Sequence, residues 1–139
     1  MSVQTYKGTC HCGAIRFEAD IDLDEGSNRC NCSYCAKVRA WFAFAKGADR
    51  FRLIDGTGVS EFRWTPPGDT EPHLTFTFCR TCGVRTFARG TLEHLGGTFH
   101  AVHVPTLELS DEQRAAIPVR YINGRDRRYD EVPAHTEAL

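Results

Sequence analysis

The sequence predicts a mainly β fold organised around bound metal. Three observations carry this expectation. Apolar residues recur at every second position along much of the chain, only one segment has both a helix start and a helix stop, and the cysteines fall into tight groups. A chain of 139 residues fits a single domain over residues 1–139.

The elements follow in chain order. Ile15, Phe17, Ala19 and Ile21 alternate with Arg16, Glu18 and Asp20, as in a half-buried strand. A short helical turn is expected over 33–39, then strands over 41–46, 51–54 and 59–64. The stretch Asp55, Gly56, Thr57, Gly58 between two of these reads as a hairpin connection, because Asp and Gly tolerate positive φ. Three prolines and a glycine make 65–72 an exposed loop. Leu74, Phe76 and Phe78 alternate with Thr75 and Thr77 and lead the chain into Cys79. Strands are expected again over 84–88 and 99–104. The one clear helix covers 110–117, where Ser110 and Gln113 form a capping box and Pro118 marks the end. The expected architecture is thus several antiparallel sheets with one short C-terminal helix.

Composition narrows the function classes. Hydrophobic residues at 41% and charged residues at 25% exclude disorder as the default state. Seventeen basic against 18 acidic residues give a net charge of −1, which argues against nucleic acid or an anionic membrane as the main partner. The longest apolar run, 40–45, is far short of the ~20 residues of a membrane-spanning helix. The opening MSVQTYKGT lacks the apolar core of a signal peptide, so a cytoplasmic location is expected. Seven cysteines is an odd count for a disulfide scaffold, and reduced thiols that bind metal are the better reading.

The thiols form three groups: Cys10 and Cys12, then Cys30, Cys32 and Cys35, then Cys79 and Cys82. Closely spaced cysteines offer two thiolates from one tight turn, which suits tetrahedral zinc. Gly13 and Gly83 directly follow the first and last pairs, where a residue without Cβ lets the backbone reverse and aim amides at sulfur. Seven sulfurs cannot fill two four-thiolate sites, so the economical partition is four plus three. Spacing alone leaves open whether Cys79 and Cys82 complete the first pair or join the middle group. A closed four-ligand site is structural, whereas three protein ligands and a free position are the catalytic arrangement. Zinc with three thiolates is a weak Lewis acid, better suited to a soft sulfur ligand than to activating water. A substrate thiol held there would lose its proton and could attack an electrophilic carbon such as an aldehyde.

The three groups, set in Gly8-Thr9-Cys10-His11-Cys12-Gly13, Cys30-Asn31-Cys32-Ser33-Tyr34-Cys35 and Phe78-Cys79-Arg80-Thr81-Cys82-Gly83, resemble the glutathione-dependent formaldehyde-activating (GFA) family, also called the centromere protein V/GFA domain. The resemblance spans about residues 5–125. It implies a Mss4-like fold and two zinc ions per chain. One would be structural, at Cys10, Cys12, Cys79 and Cys82; the other catalytic in type, at Cys30, Cys32 and Cys35. It also implies a carbon–sulfur lyase-type enzyme acting on a thiol adduct of the S-hydroxymethylglutathione class, with a small thiol such as glutathione and an aldehyde as partners. The tail Val119 to Gly124 departs from the His- and Trp-containing ending of the formaldehyde-related members, so the generic lyase description is the one carried forward.

Plainer readings stand beside these. The middle trio would be a second structural zinc site if His73, His100 or His103 closed it. The chain would then be a non-catalytic zinc module for a protein or nucleic-acid partner; a third reading is metal buffering or redox sensing by the trio. His11 is expected to point outward. Arg29, Lys37, Arg39 and Arg80 either attract a substrate carboxylate or offset the zinc–thiolate charge, with the second favoured. Trp41, Phe42, Phe44, Phe76 and Phe78 read as core. The arginines at 120, 125, 127 and 128, interrupted by Asp126, Asp130 and Glu131, read as a solvated surface.

Overall fold

The computed structural model describes residues 2–139. Ten strands and two short α-helices follow one another along the chain: β1 (Gln4–Thr9), β2 (Arg16–Ile21), β3 (Ser27–Cys30), α1 (Ser33–Val38), β4 (Phe42–Lys46), β5 (Phe51–Asp55), β6 (Val59–Phe62), β7 (Leu74–Cys79), β8 (Arg85–Leu92), β9 (Gly97–His103), α2 (Asp111–Ala115) and β10 (Val119–Ile122). They build a three-stranded sheet, β1-β2-β5, and a seven-stranded sheet, β10-β3-β4-β9-β8-β7-β6. The fold is therefore mainly β, as expected. One strand pair departs from the antiparallel expectation, because β10 runs parallel to β3.

The core lies where the two sheets face each other. In β2 the expected alternation is seen: Phe17, Ala19 and Ile21 are buried, while Glu18 and Asp20 face Arg52 of β5. Phe17 stacks on Phe51 at 5.3 Å between ring centroids and meets Phe87 of the larger sheet edge-on at 5.9 Å. Val102 and Val104 close this cluster from β9 and the turn that follows it. A second cluster, built from Phe76, Ala88, Phe99 and Ala101, covers the other face of the larger sheet, with Tyr34, Phe42 and Phe44 packed on it. Phe76 is thus a core residue and Trp41, Phe42 and Phe44 pack against the core, as read from the sequence, whereas Phe78 is half-buried and belongs to neither cluster.

Two sequence expectations need correcting. The segment from Asp55 to Gly58 is not a hairpin: β5 pairs with β2 and β6 pairs with β7, so the turn carries the chain from one sheet to the other. Its shape comes from Asp55, whose Oδ1 accepts from the Thr57 amide at 3.0 Å and from its hydroxyl at 2.8 Å. Strands β1, β3 and β10 had no clear signal, because β1 is largely polar and exposed, and β3 and β10 have four residues each and pair with each other across most of the chain. Ser27 shows how: its buried hydroxyl accepts from Trp41 Nε1 at 2.7 Å and donates to Pro118 O at 2.9 Å, joining β3 to the starts of β4 and β10.

The C-terminal helix is shorter than 110–117, but its cap is the one expected. Gln113 N donates to Ser110 Oγ at 3.0 Å, and Ser110 N donates to Gln113 Oε1 at 2.8 Å. Among the described residues, no helix is long and apolar enough to cross a membrane.

Candidate metal centres

Two hairpin tips meet to form the first cluster. Cys10 directly follows β1 and Cys12 lies in the turn to β2, while Cys79 ends β7 and Cys82 lies in the turn to β8. Both turns close in the same way: Cys10 N donates to Ile15 O at 3.1 Å, and Cys79 N donates to Val84 O at 3.0 Å. Gly13 and Gly83 sit at φ of 88° and 78°, where only a residue without Cβ is unstrained. The four sulfurs lie within 4.8 Å of one another, with Cys10–Cys12 at 3.7 Å and Cys12–Cys79 at 3.6 Å.

Gly58, from the turn between the sheets, is clasped between the tips. Its amide donates to Ala14 O at 3.0 Å, its carbonyl accepts from Arg80 N at 2.8 Å, and a Cβ there would stand 2.7 Å from Ala14 Cβ.

Backbone amides converge on these sulfurs. Ile15 N reaches Cys10 Sγ at 3.3 Å, and Thr81 N and Cys82 N reach Cys79 Sγ at 3.4 and 3.5 Å. The Val84 amide, helped by those of Cys12 and His11, draws the Cys82 thiol down to about 6. Cys12 is pulled down by the Ala14 amide, but desolvation and the sulfurs of Cys79, Cys10 and Cys82 outweigh it and push the thiol up to about 11. Four thiols this close cannot all ionise unless a cation shares their charge. The donor set therefore fits a soft divalent ion.

The second cluster sits where β3 gives way to α1. Cys30 ends the strand, Cys32 is the N-cap of α1, and Cys35 is buried in its first turn. Their sulfurs also lie within 4.8 Å of one another. Cys32 N donates to Cys30 Sγ at 3.4 Å, and Cys35 N donates to Cys32 Sγ at 3.3 Å. Hydrogen bonds from Cys30 and Cys35, then the amides of Cys35 and Tyr34, hold the Cys32 thiol well below its ordinary value. Cys30 and Cys35 move upward, chiefly because they donate to their neighbours. Three sulfurs this close also suit a soft divalent ion.

Similarity to known proteins agrees with this geometry. A family profile described as "Glutathione-dependent formaldehyde-activating enzyme" matches residues 5–122. The chain belongs to the GFA family. Among solved structures, a Rhodobacter sphaeroides protein is similar at 26% identity and a TM-score of 0.63, covering 82% of this chain and 99% of that one. The two-sheet, mainly β architecture is consistent with the Mss4-like fold expected for the family.

In this GFA-family chain the cysteines group as four and three, with Cys79 and Cys82 beside the first pair. Among the described residues, no histidine or carboxylate joins either cluster. His73 pairs with Asp69 at 2.8 Å, His103 Nδ1 donates to Arg85 O at 3.2 Å, and His100 stacks flat on Phe51 at 4.0 Å. His11 is exposed. Of the basic residues, Arg29 lies over the Trp41 ring at 4.5 Å and Arg80 Nη2 donates to Val59 O at 2.6 Å. Arg39 ends α1 in the left-handed conformation at φ 57°, and Lys37 is exposed.

The residues that the sequence reading missed come from the C-terminal tail. Asn31 is buried and anchors that tail to the trio: its Nδ2 donates to Asn123 Oδ1 at 3.1 Å, and its Oδ1 accepts from Arg125 N at 2.9 Å. Gly124 is thereby brought against the Cys30 sulfur and the Cys32 Cβ. The tail was read from sequence as a departure from family pattern, yet it forms a wall of the trio. The available signal was the asparagine pair, one residue between two cysteines and one before a glycine. Arg85, which lies 5.4 Å above the Tyr34 ring and 5.1 Å above Phe78, was likewise not singled out.

Proposed function

We propose that this chain is a zinc-dependent enzyme of the carbon–sulfur lyase type, acting on a thiol adduct of the glutathione–aldehyde class. In this reading Cys10, Cys12, Cys79 and Cys82 hold a structural zinc, and Cys30, Cys32 and Cys35 hold a reactive one. The observation that carries the reading is the asymmetry between the clusters: four sulfurs in one and three in the other, with no further cysteine, histidine or carboxylate gathered at the three among the described residues. A zinc ion in the trio offers a position to a soft sulfur ligand and lowers the pKa of that thiol.

The chain's own residues set the rest. The α1 amides and the Asn31 anchor hold the three sulfurs in fixed relation, and Gly124, without a side chain, packs against the Cys30 sulfur. In the forward direction the thiol releases its proton, its sulfur bonds to the carbonyl carbon, and the carbonyl oxygen takes up a proton. The adduct is a hydroxyalkyl thioether, and the reverse path regenerates thiol and aldehyde. Seven free thiols suit a reducing compartment, and the proposed location is the cytoplasm.

Native mass spectrometry with and without millimolar glutathione tests the metal arrangement. The expected result is two zinc ions per chain, one ligated or displaced by the thiol and one retained. Carbon-13 NMR of labelled formaldehyde with glutathione then follows adduct formation with and without protein. Two equally inert ions, together with no acceleration for any aldehyde, would leave a non-catalytic zinc module instead.

A further inference from the structure

A second concavity, of about 260 Å³, opens among Asp22, Glu25, Asn28, Phe44, Lys46, His94 and Arg120. Strand register sets its position relative to the trio. Asn28 precedes Cys30 by two residues in β3, so both side chains leave the same face, roughly 7 Å apart along the strand. In β10 alongside, Arg120 stands opposite Asn28 and Ile122 opposite Cys30. On the other flank Phe42 stands opposite Asn28, and Phe44 and Lys46 continue that face of β4. The cleft and the sulfurs are neighbours on one strand.

The cleft has an apolar floor at Phe44 and a charged rim. Lys46 is ion-paired with Glu25, so its charge is already answered within the protein. Arg120 differs. Its Nε donates to the neutral Asn28 Oδ1 at 3.3 Å, and among the described residues it makes no ion pair, although Asp22 and Glu25 line the same cleft. A guanidinium has five donors, and the fork of Nη groups suits a carboxylate.

We infer that this cleft receives the carboxylate-bearing arm of the thiol substrate, with Arg120 as the partner of the carboxylate. The inference rests on reading the trio as a thiol site, and it narrows which thiols fit. The carboxylate of free cysteine is only three bonds from its sulfur, too close to serve both places. Each further residue of extended chain adds up to ~3.3–3.6 Å, so a cysteinyl peptide with a free terminal carboxylate spans the interval. A neutral small thiol reaches the trio and gains nothing from Arg120. Arg120 is a specificity residue, remote from the bond that forms or breaks.

Calorimetric titration of the full chain as purified, wild type and Arg120→Gln, against glutathione, cysteine and 2-mercaptoethanol tests this. Zinc content is measured first, to establish that both proteins carry the same metal. The expected result is glutathione binding weakened about tenfold in the variant, with a flatter salt dependence. Cysteine and 2-mercaptoethanol bind both proteins equally. Equal glutathione affinity in the two proteins overturns the assignment of the cleft and leaves the thiol reading of the trio standing. Loss of all three thiols in the variant also overturns it, since Arg120 would then act through the trio itself. If the wild-type protein binds no thiol, both readings fall.

Discussion

A Cβ built on Gly124 would stand 2.5 Å from the sulfur of Cys30, two residues that lie at opposite ends of the chain's chemistry. Gly124 is not in the left-handed region, so this constraint is one of space and not of backbone conformation. The same Cβ would meet Cys32 Cβ at 3.3 Å and the Tyr129 ring at 3.6 Å, which leaves it no easy way to move aside.

Gly124→Ala is therefore expected to push Cys30 or the segment around residue 124 out of place. One zinc per chain should be lost, with stability lowered by about 1–3 kcal/mol, the usual cost of overpacking. Metal analysis and thermal melting check this. A variant that keeps both ions at wild-type affinity would show that the tail does not shape the trio.

The two clusters should differ in their effect on folding. A structural zinc contributes about 10–16 kcal/mol of apparent binding energy, against a whole-domain stability of about 5–15 kcal/mol. Cys82→Ser opens the cluster that locks the two hairpin tips together and is expected not to fold. Cys32→Ser is expected to lose one zinc and still melt cooperatively. Circular dichroism with metal counting distinguishes them; equal collapse in both variants counts against a functional trio.

His100 makes stability sensitive to acid. Its Nδ1 is buried without a hydrogen-bond partner, and burial, reinforced by the positive charge of Arg89, lowers its pKa from 6.5 to about 4. The folded state thus favours the neutral ring. Its contribution is fully present above pH 6.5 and is lost as pH falls toward 4, because the unfolded chain takes up the proton first. After allowance for the ring's partial exposure the loss is about 1–2 kcal/mol. The drop in melting temperature between pH 7 and pH 4.5 should be smaller in His100→Phe than in the wild type. An identical drop in both would mean that other groups carry the acid sensitivity.

Much of the candidate site was legible because its signals are local. A cysteine pair followed by glycine specifies a tight turn with amides around sulfur, and both such turns are present at Gly13 and Gly83. The alternation at Phe17, Ala19 and Ile21 and the Ser110–Gln113 cap are likewise set by near neighbours. The failures share one cause. Nothing near Gly58 in sequence reveals that it will be gripped by Ala14 and Arg80, so its turn looked like a hairpin. Asn31 and Asn123 are ordinary polar residues until 92 positions of chain fold to bring them together.

From its order of residues alone, this protein is mainly β, carries its chemistry on seven thiols and offers them in turns suited to metal. Those properties depend on backbone preferences within a few residues, which act before any distant contact exists. The joining of Cys10 and Cys12 with Cys79 and Cys82, the wall that Gly124 raises beside Cys30, and the cleft that ends in Arg120 were decided only in three dimensions. Each depends on which strands pair across long loops, and that choice is made by packing the whole core rather than by any one segment.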